Sequence, residues 1–235
     1  MGSLNRDSRQ SIFFSIGYTI ASEWPSDTMH RLDFQRALAE NQLDFPQTSV
    51  GVRDFTLVRK EPSALQVKIA SVGPRVSSVS VTSDRPAHSL EYFCKEADVI
   101  CNAYREMFVK RECQILQCGV AIRHLYSCEG HAFQYLWEER LGQKPEDFNY
   151  LGRPVLGGGL RLVMPPTQDS AEPVQIEIKI ESFFRESRKM FIETAFVWPR
   201  PRLLQKDAKF DPAVRLTEVG KYAQSKVWDF ISIPK

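Results

Sequence analysis

His124, Cys128 and His131 are the residues whose types and spacing come nearest to chemistry. Imidazole nitrogen and thiolate sulfur are the usual zinc ligands, and a thiolate beside an imidazole is also the pair used by cysteine nucleophiles. The His-x3-Cys-x2-His spacing runs from a strand end into a turn and lacks a fourth ligand. Cys118 shares the strand parity of His124, yet six residues of strand cover about 20 Å. Zinc needs its ligands at roughly 2.0–2.3 Å. Glu129 is the remaining local donor. The three residues are metal candidates by type alone, and partly buried polar side chains are the simpler reading. No cofactor is expected.

Other patterns lead away from catalysis. No Gly-x-Ser-x-Gly nucleophile elbow is present. Gly157, Gly158 and Gly159 are followed by the strand-like Leu160–Met164 rather than by Gly-Lys-Ser/Thr and a helix, so they mark a loop entering a strand. Arg161 in that strand is placed to meet an anionic partner. Glu177, Lys179 and Glu181 alternate with Ile176, Ile178 and Ile180, as on a half-exposed strand, rather than forming an acid–base pair. Arg200, Arg202 and Lys206, spaced by Pro201, make a short basic connector. No residue is assigned a catalytic role.

Composition is that of an ordinary globular protein. Of 235 residues, 43% are hydrophobic and 26% charged, enough to build a core without disulfides or metals. The formal net charge of +2 does not require an anionic partner. No run reaches the roughly 18 apolar residues that span a bilayer, so no membrane association is expected. The start of the chain carries neither a cleavage site nor a myristoylation pattern, Arg6 standing where Ser or Thr is needed. The five cysteines, at 94, 101, 113, 118 and 128, are odd in number and lack Cys-x-x-Cys, which points to free buried thiols and a cytoplasmic location.

Periodicity supplies the elements that must position these residues. Ile12, Phe14, Ile16, Tyr18 and Ile20 alternate with small polar residues as a strand. A helix is predicted from Pro25 to about Gln42, capped by Ser26 or Asp27, with Leu32 and Leu38 buried. Strands Val50–Val58, Leu65–Val72 and Arg75–Thr82 follow, and a helix from about Ser89 to Lys110 repeats apolar residues at three- and four-residue steps. The second part repeats this order. Strand Gln114–Tyr126 leads to a helix from Gly130 to Leu141, then strands Leu160–Met164, Val174–Ile180 and Phe191–Trp198. A final helix runs from Pro212 to Phe230 with Asp211 as cap. The fold class is therefore α+β, two β-α-β-β-β-α halves, mostly antiparallel, with helices on one face of the sheet. The halves are 1–111 and 112–235, as two sheets joined edge to edge or as one continuous domain.

Strand parity describes the other face. Ser11, Ser15, Gly17 and Thr19 lie opposite the apolar side of the first strand; Gln117, Gly119, Ala121 and Arg123 do the same after Cys113; Ser78, Ser80 and Thr82 share one side of a third. Glycine and small hydroxyl residues in strands suit a surface that something approaches closely. Plain solvation of an antiparallel sheet is the competing account.

The segment Val120-Ala121-Ile122-Arg123-His124-Leu125-Tyr126 resembles the Ile-Gly-Leu-Arg-Tyr-Ile-Asn strand of a sporadically distributed, uncharacterised prokaryotic family of about this length. The strand around Ser77–Thr82, the helix Ser89–Lys110, and the strand Ile192–Trp198 followed by a helix are similar to that family's central and C-terminal parts. Arg123 matches its strand arginine, whereas His124 and Tyr126 replace its tyrosine and asparagine. The resemblance implies an accessory role, such as in prokaryotic defence, and supplies no catalytic residues to carry over.

Three functions follow as expectations. The first is a non-enzymatic adaptor that engages a protein partner through a sheet face or edge, with Arg123, Tyr126 and Arg161 as partner-binding residues. The second is RNA or DNA binding on an open sheet face, favoured if Phe13, Arg123 and Arg161 share one positive surface. The third is a Cys/His- or metal-dependent hydrolase built on His124, Cys128 and His131.

Overall fold

The computed structural model describes residues 3–23, 27–109, 111–167 and 170–232. Ten strands form one antiparallel sheet: β1 (Leu4–Ile20), β2 (Gln47–Val50), β3 (Asp54–Arg59), β4 (Leu65–Gly73), β5 (Val76–Asp84), β6 (Cys113–Cys128), β7 (Gly159–Met164), β8 (Gln175–Ser182), β9 (Lys189–Trp198) and β10 (Arg202–Leu204). The helices are α1 (Thr28–Glu40), α2 (Leu90–Phe108), α3 (Ala132–Gln134), α4 (Pro212–Tyr222) and α5 (Trp228–Ser232). A π-turn at Tyr135–Arg140 extends α3, another at Ala223–Val227 joins α4 to α5, and a 3-10 helix covers Pro145–Leu151.

The strand order is β2-β3-β4-β5-β1-β6-β9-β8-β7, with β10 added beside β6. Read outward from the β1–β6 seam, the order is β1, β5, β4, β3, β2 on one side and β6, β9, β8, β7 on the other. The sheet is continuous across the seam, where the long strands β1 and β6 pair over most of their lengths.

Alternation fixes which side is covered. Phe14, Ile16, Tyr18 and Ile20 of β1 are all buried, as are Cys118, Val120 and Ile122 of β6, and α2 and α4 pack over them. Helix α2 earns its place by spacing: Phe93, Ala97, Ile100, Cys101 and Tyr104 recur at one helical turn and are buried, while Ser89 caps its start through Tyr92 N at 3.3 Å. The main core lies under β1–β6 and a smaller one under β7–β9, where Tyr126, Ile180, Met190 and Trp228 meet. All five cysteines are free and buried.

Several boundaries differ from expectation for local reasons. The expected strand Val50–Val58 is a hairpin of β2 and β3, turned at Gly51, whose N–H donates to the Asp54 carbonyl. Helix α1 starts at Thr28 with Asp27 as cap, accepting from Met29 N at 2.8 Å; Ser26 lies outside the described residues. Leu32 is half exposed and Phe34 takes the buried position beside Leu38. Lys110, the expected end of α2, also lies outside the described residues. The register shifts where Thr19 and Ile20 meet β6, so Ile115 rather than Leu116 enters the core.

Asp211 occupies the cap position of α4 but makes no cap hydrogen bond with its side chain. Its carboxylate instead accepts both Nη groups of Arg202 at 3.0 and 2.8 Å and Nε of Arg215 at 3.0 Å. That network draws Arg202 of the basic connector into β10. Among the described residues, no helix is long and apolar enough to cross a membrane.

Candidate functional site

The uncovered face of the sheet carries the candidate site. On β1 and β6 the register sets Phe13 opposite Arg123, Ser15 opposite Ala121, Gly17 opposite Gly119 and Thr19 opposite Gln117. Ser80 flanks Gly17 on β5, and Ala195 flanks Ala121 on β9. Six side chains of minimal size thus meet at the seam, and the result is a trough of about 390 Å³ on that face.

The two seam glycines are not explained by the backbone. Neither has a positive φ, and a Cβ on Gly119 would meet nothing within 4 Å. On Gly17 it would make ordinary contact with Ser80 Cβ at 3.4 Å. Gly159 provides the contrast, since a Cβ there would lie 2.3 Å from the Ile180 carbonyl oxygen. Glycine inside a strand costs about 0.5–1 kcal/mol relative to alanine. At Gly159 packing demands that cost; at Gly119 nothing among the described residues does.

Beside the trough runs a row of charge. Register places Phe13, Arg123, Glu193, Lys179 and Arg161 side by side across β1, β6, β9, β8 and β7. The Arg123 guanidinium lies over the Phe13 ring, 4.3 Å from its centre, and its Nε donates to Glu193. Lys179 Nζ donates to the other Glu193 oxygen at 2.7 Å and lies 3.2 Å from Glu177, which accepts from Arg161 Nη2 at 2.8 Å. Burial pushes the Glu193 carboxyl up, but the hydrogen bonds and charges of Lys179 and Arg123 outweigh it and hold it below its ordinary 4.5. The hydrogen bond from Arg161 likewise lowers Glu177. Phe13, Arg123 and Arg161 share a face as the nucleic-acid reading requires. Glu193 and Glu177 interleave with the cations, however, and the row is a paired ladder rather than a positive surface.

Arg123 and Arg161 therefore stand together on the open face. Tyr126 does not join them: its ring is buried on the helix side, 5.1 Å from that of Trp228. Sequence reasoning placed Lys179 and Glu177 on a solvated strand and overlooked Glu193, which is 5% exposed. The parity shared by Arg123, Phe13 and Lys179 was the available signal, but cross-strand register was needed to align them.

His124, Cys128 and His131 occupy separate surroundings. His124 is buried on the helix side, with Nδ1 3.2 Å from Ser11 Oγ, and burial together with the charge of Arg9 pushes it down to about 4. Burial raises the Cys128 thiol to about 11, which disfavours the thiolate. His131 caps α3, its Nδ1 accepting from Phe133 N at 3.3 Å, and lines a cavity of about 620 Å³ with Phe133 and Phe148. Among the described residues, no three His, Cys, Asp or Glu side chains come together as metal ligands.

The seam trough and its charged ladder stand without an outside reference: no family model matches the chain, and no curated protein matches it.

Proposed function

We propose that this chain is a non-enzymatic binding protein that presents the open sheet face at the β1–β6 seam to a protein partner. The carrying observation is the pair Gly17 and Gly119, whose missing side chains keep the floor of the trough flat without serving the fold. A flat floor beside oriented charges is the arrangement in which a partner inserts an anchoring side chain while a polar rim sets its register. Arg123, Lys179 and Arg161 form that rim with Glu193 and Glu177. The resemblance of the Val120–Tyr126 segment to a scattered prokaryotic family adds an accessory role in prokaryotic defence to the proposal.

Each cation of the ladder is engaged by a carboxylate, Arg123 and Lys179 by Glu193 and Arg161 by Glu177, and this weighs against RNA or DNA as the occupant, because phosphate binding draws on unpaired cations. The hydrolase reading needs His124, Cys128 and His131 to act together, and their separate surroundings give it no support.

The test is affinity capture of the full chain with and without nuclease, beside a Gly119→Trp variant that fills the trough. A stoichiometric protein that survives nuclease and is lost with Gly119→Trp is the expected result. Equal capture by both chains overturns the site, and recovery that depends on nucleic acid overturns the class of partner.

A further inference from the structure

Three arginines are almost fully withdrawn from solvent, and they are not treated alike. Arg59, Arg105 and Arg215 are 6%, 4% and 6% exposed. Arg59 pairs with Glu96 across the β3–α2 contact. Arg215 pairs with Asp211 and Glu172. Arg105 has no carboxylate within ion-pair distance among the described residues.

The surroundings of Arg105 satisfy only part of its guanidinium. Its Nη2 donates to the carbonyls of Gln205 and Lys206 at 3.0 and 2.8 Å, and its buried Nε–H has no acceptor among the described residues. The residue sits in the last turn of α2, where the helix end favours a cation. Partial charges on carbonyls are nevertheless weaker than the full counter-charges given to Arg59 and Arg215. An uncompensated buried charge is costly to a fold and persists where something else supplies the opposite sign.

Arg105 also lines a cavity of about 370 Å³ between α2 and the loop that follows β10. Lys206 and Lys209 belong to the same wall, together with Asn102, Glu106 and Asp207. Glu106 and Asp207 make no ion pair among the described residues, and the wall has three cations against two carboxylates. The Asn102 side chain is fully engaged, donating to the Asp98 carbonyl and accepting from Phe210 N, so it holds the loop in place against α2.

We propose that this cavity binds a small oxyanion of the phosphate class, with Arg105 as its fixed anchor and Lys206 and Lys209 closing on it from the loop. A guanidinium held by two backbone carbonyls is oriented before the ligand arrives, and mobile ammonium groups complete the charge. The site shares no lining residue with the seam trough, and it stands or falls separately from the partner surface proposed above.

Thermal unfolding and calorimetric titration of the full chain with inorganic phosphate, against sodium chloride at matched ionic strength, test the proposal. Phosphate is expected to raise Tm saturably while chloride does not. The double substitution Lys206→Gln and Lys209→Gln should leave the Tm without phosphate unchanged, since both side chains are exposed and make no ion pair among the described residues, and should weaken phosphate binding at least tenfold. Arg105→Lys, which keeps the charge but loses the fork, should weaken it as well. A phosphate effect no larger than that of chloride overturns the site, as does full retention of binding by the double variant.

Discussion

The two faces of β1 are made by neighbouring residues and follow opposite rules. On the covered side Phe14, Ile16, Tyr18 and Ile20 fill space against α2 and α4, and each is at most 1% exposed. On the open side Ser15, Gly17 and Thr19 are small, and a Cβ on Gly17 would meet only ordinary contacts among the described residues. The covered face is selected for volume, since every methylene there replaces water with packed atoms. The open face is selected for the absence of volume, which lowers strand stability and gains nothing unless another surface comes close.

The sharpest way to break this contrast is a pair of substitutions one residue apart. Ile16→Ala should cost about 2–5 kcal/mol, the range for truncating a packed aliphatic side chain. Ser15→Ala should stay within about 0.5 kcal/mol, as exposed positions do. Denaturant unfolding of both variants measures the difference, and similar losses at the two positions would erase the distinction between the faces.

Acid should act next, and on both faces in sequence. His124 on the covered side is neutral when folded because burial holds it near 4, against an ordinary 6.5. Unfolding below pH 6.5 therefore takes up a proton, and stability falls as pH drops from 6.5 toward 4, by about 3 kcal/mol if the full difference is realised. Glu193 on the open side and Asp211 are held below their ordinary 4.5 and 3.8, so their stabilisation is present above those values and is lost as pH falls through the folded ones. Unfolding free energies measured from pH 7 to pH 3 should show a first decline that His124→Gln removes and a later one that it leaves.

The smallest expected effect has the opposite sign. Gly119→Thr adds a strand-favouring residue where a Cβ meets nothing, and should stabilise the fold by about 0.5–1 kcal/mol. The same change should weaken partner capture. A variant that is more stable and binds less well would separate what the fold needs from what the surface is for.

Much of this arrangement was legible in the sequence because period-2 alternation and helical spacing depend on the side-chain direction of each residue alone. The strand parity of Phe14–Ile20, the small residues opposite them, and the buried stripe of α2 all followed from that, whereas the irregularity between Ser11 and Phe13 turns Ser11 to the buried His124 and leaves Ile12 out of the core. Short elements made by distant partners did not follow. β10 exists because Arg202 is held by Asp211 and pairs with Ile115 of β6, so its sequence reads as a basic connector. Leu116 shares the parity of the buried Cys118, Val120 and Ile122, but the register shift beside it puts Ile115 inside instead. The ladder required a further step. Arg123, Lys179 and Arg161 are visible as charges on strands, but their alignment with Glu193 depends on how four strands slide against one another. The separation of Tyr126 from Arg123 is simple parity, three residues apart on one strand, and was open to the same reasoning that placed Gly119.

The β1–β6 seam also dictates an order of events. Within this chain β1 is synthesised before either of its neighbours, yet its registers join Leu4 to Cys128 and Ile20 to Ile115. One long edge, with the apolar side chains of Phe14 and Ile16 beside it, must wait unpaired until β6, the first strand of the second half, has emerged. Pairings between such distant segments are slow to form, and an open edge is vulnerable to the wrong neighbour meanwhile. The strand at the centre of the finished sheet is thus made before its neighbours, and it gains its second one only when about half of the chain has been made.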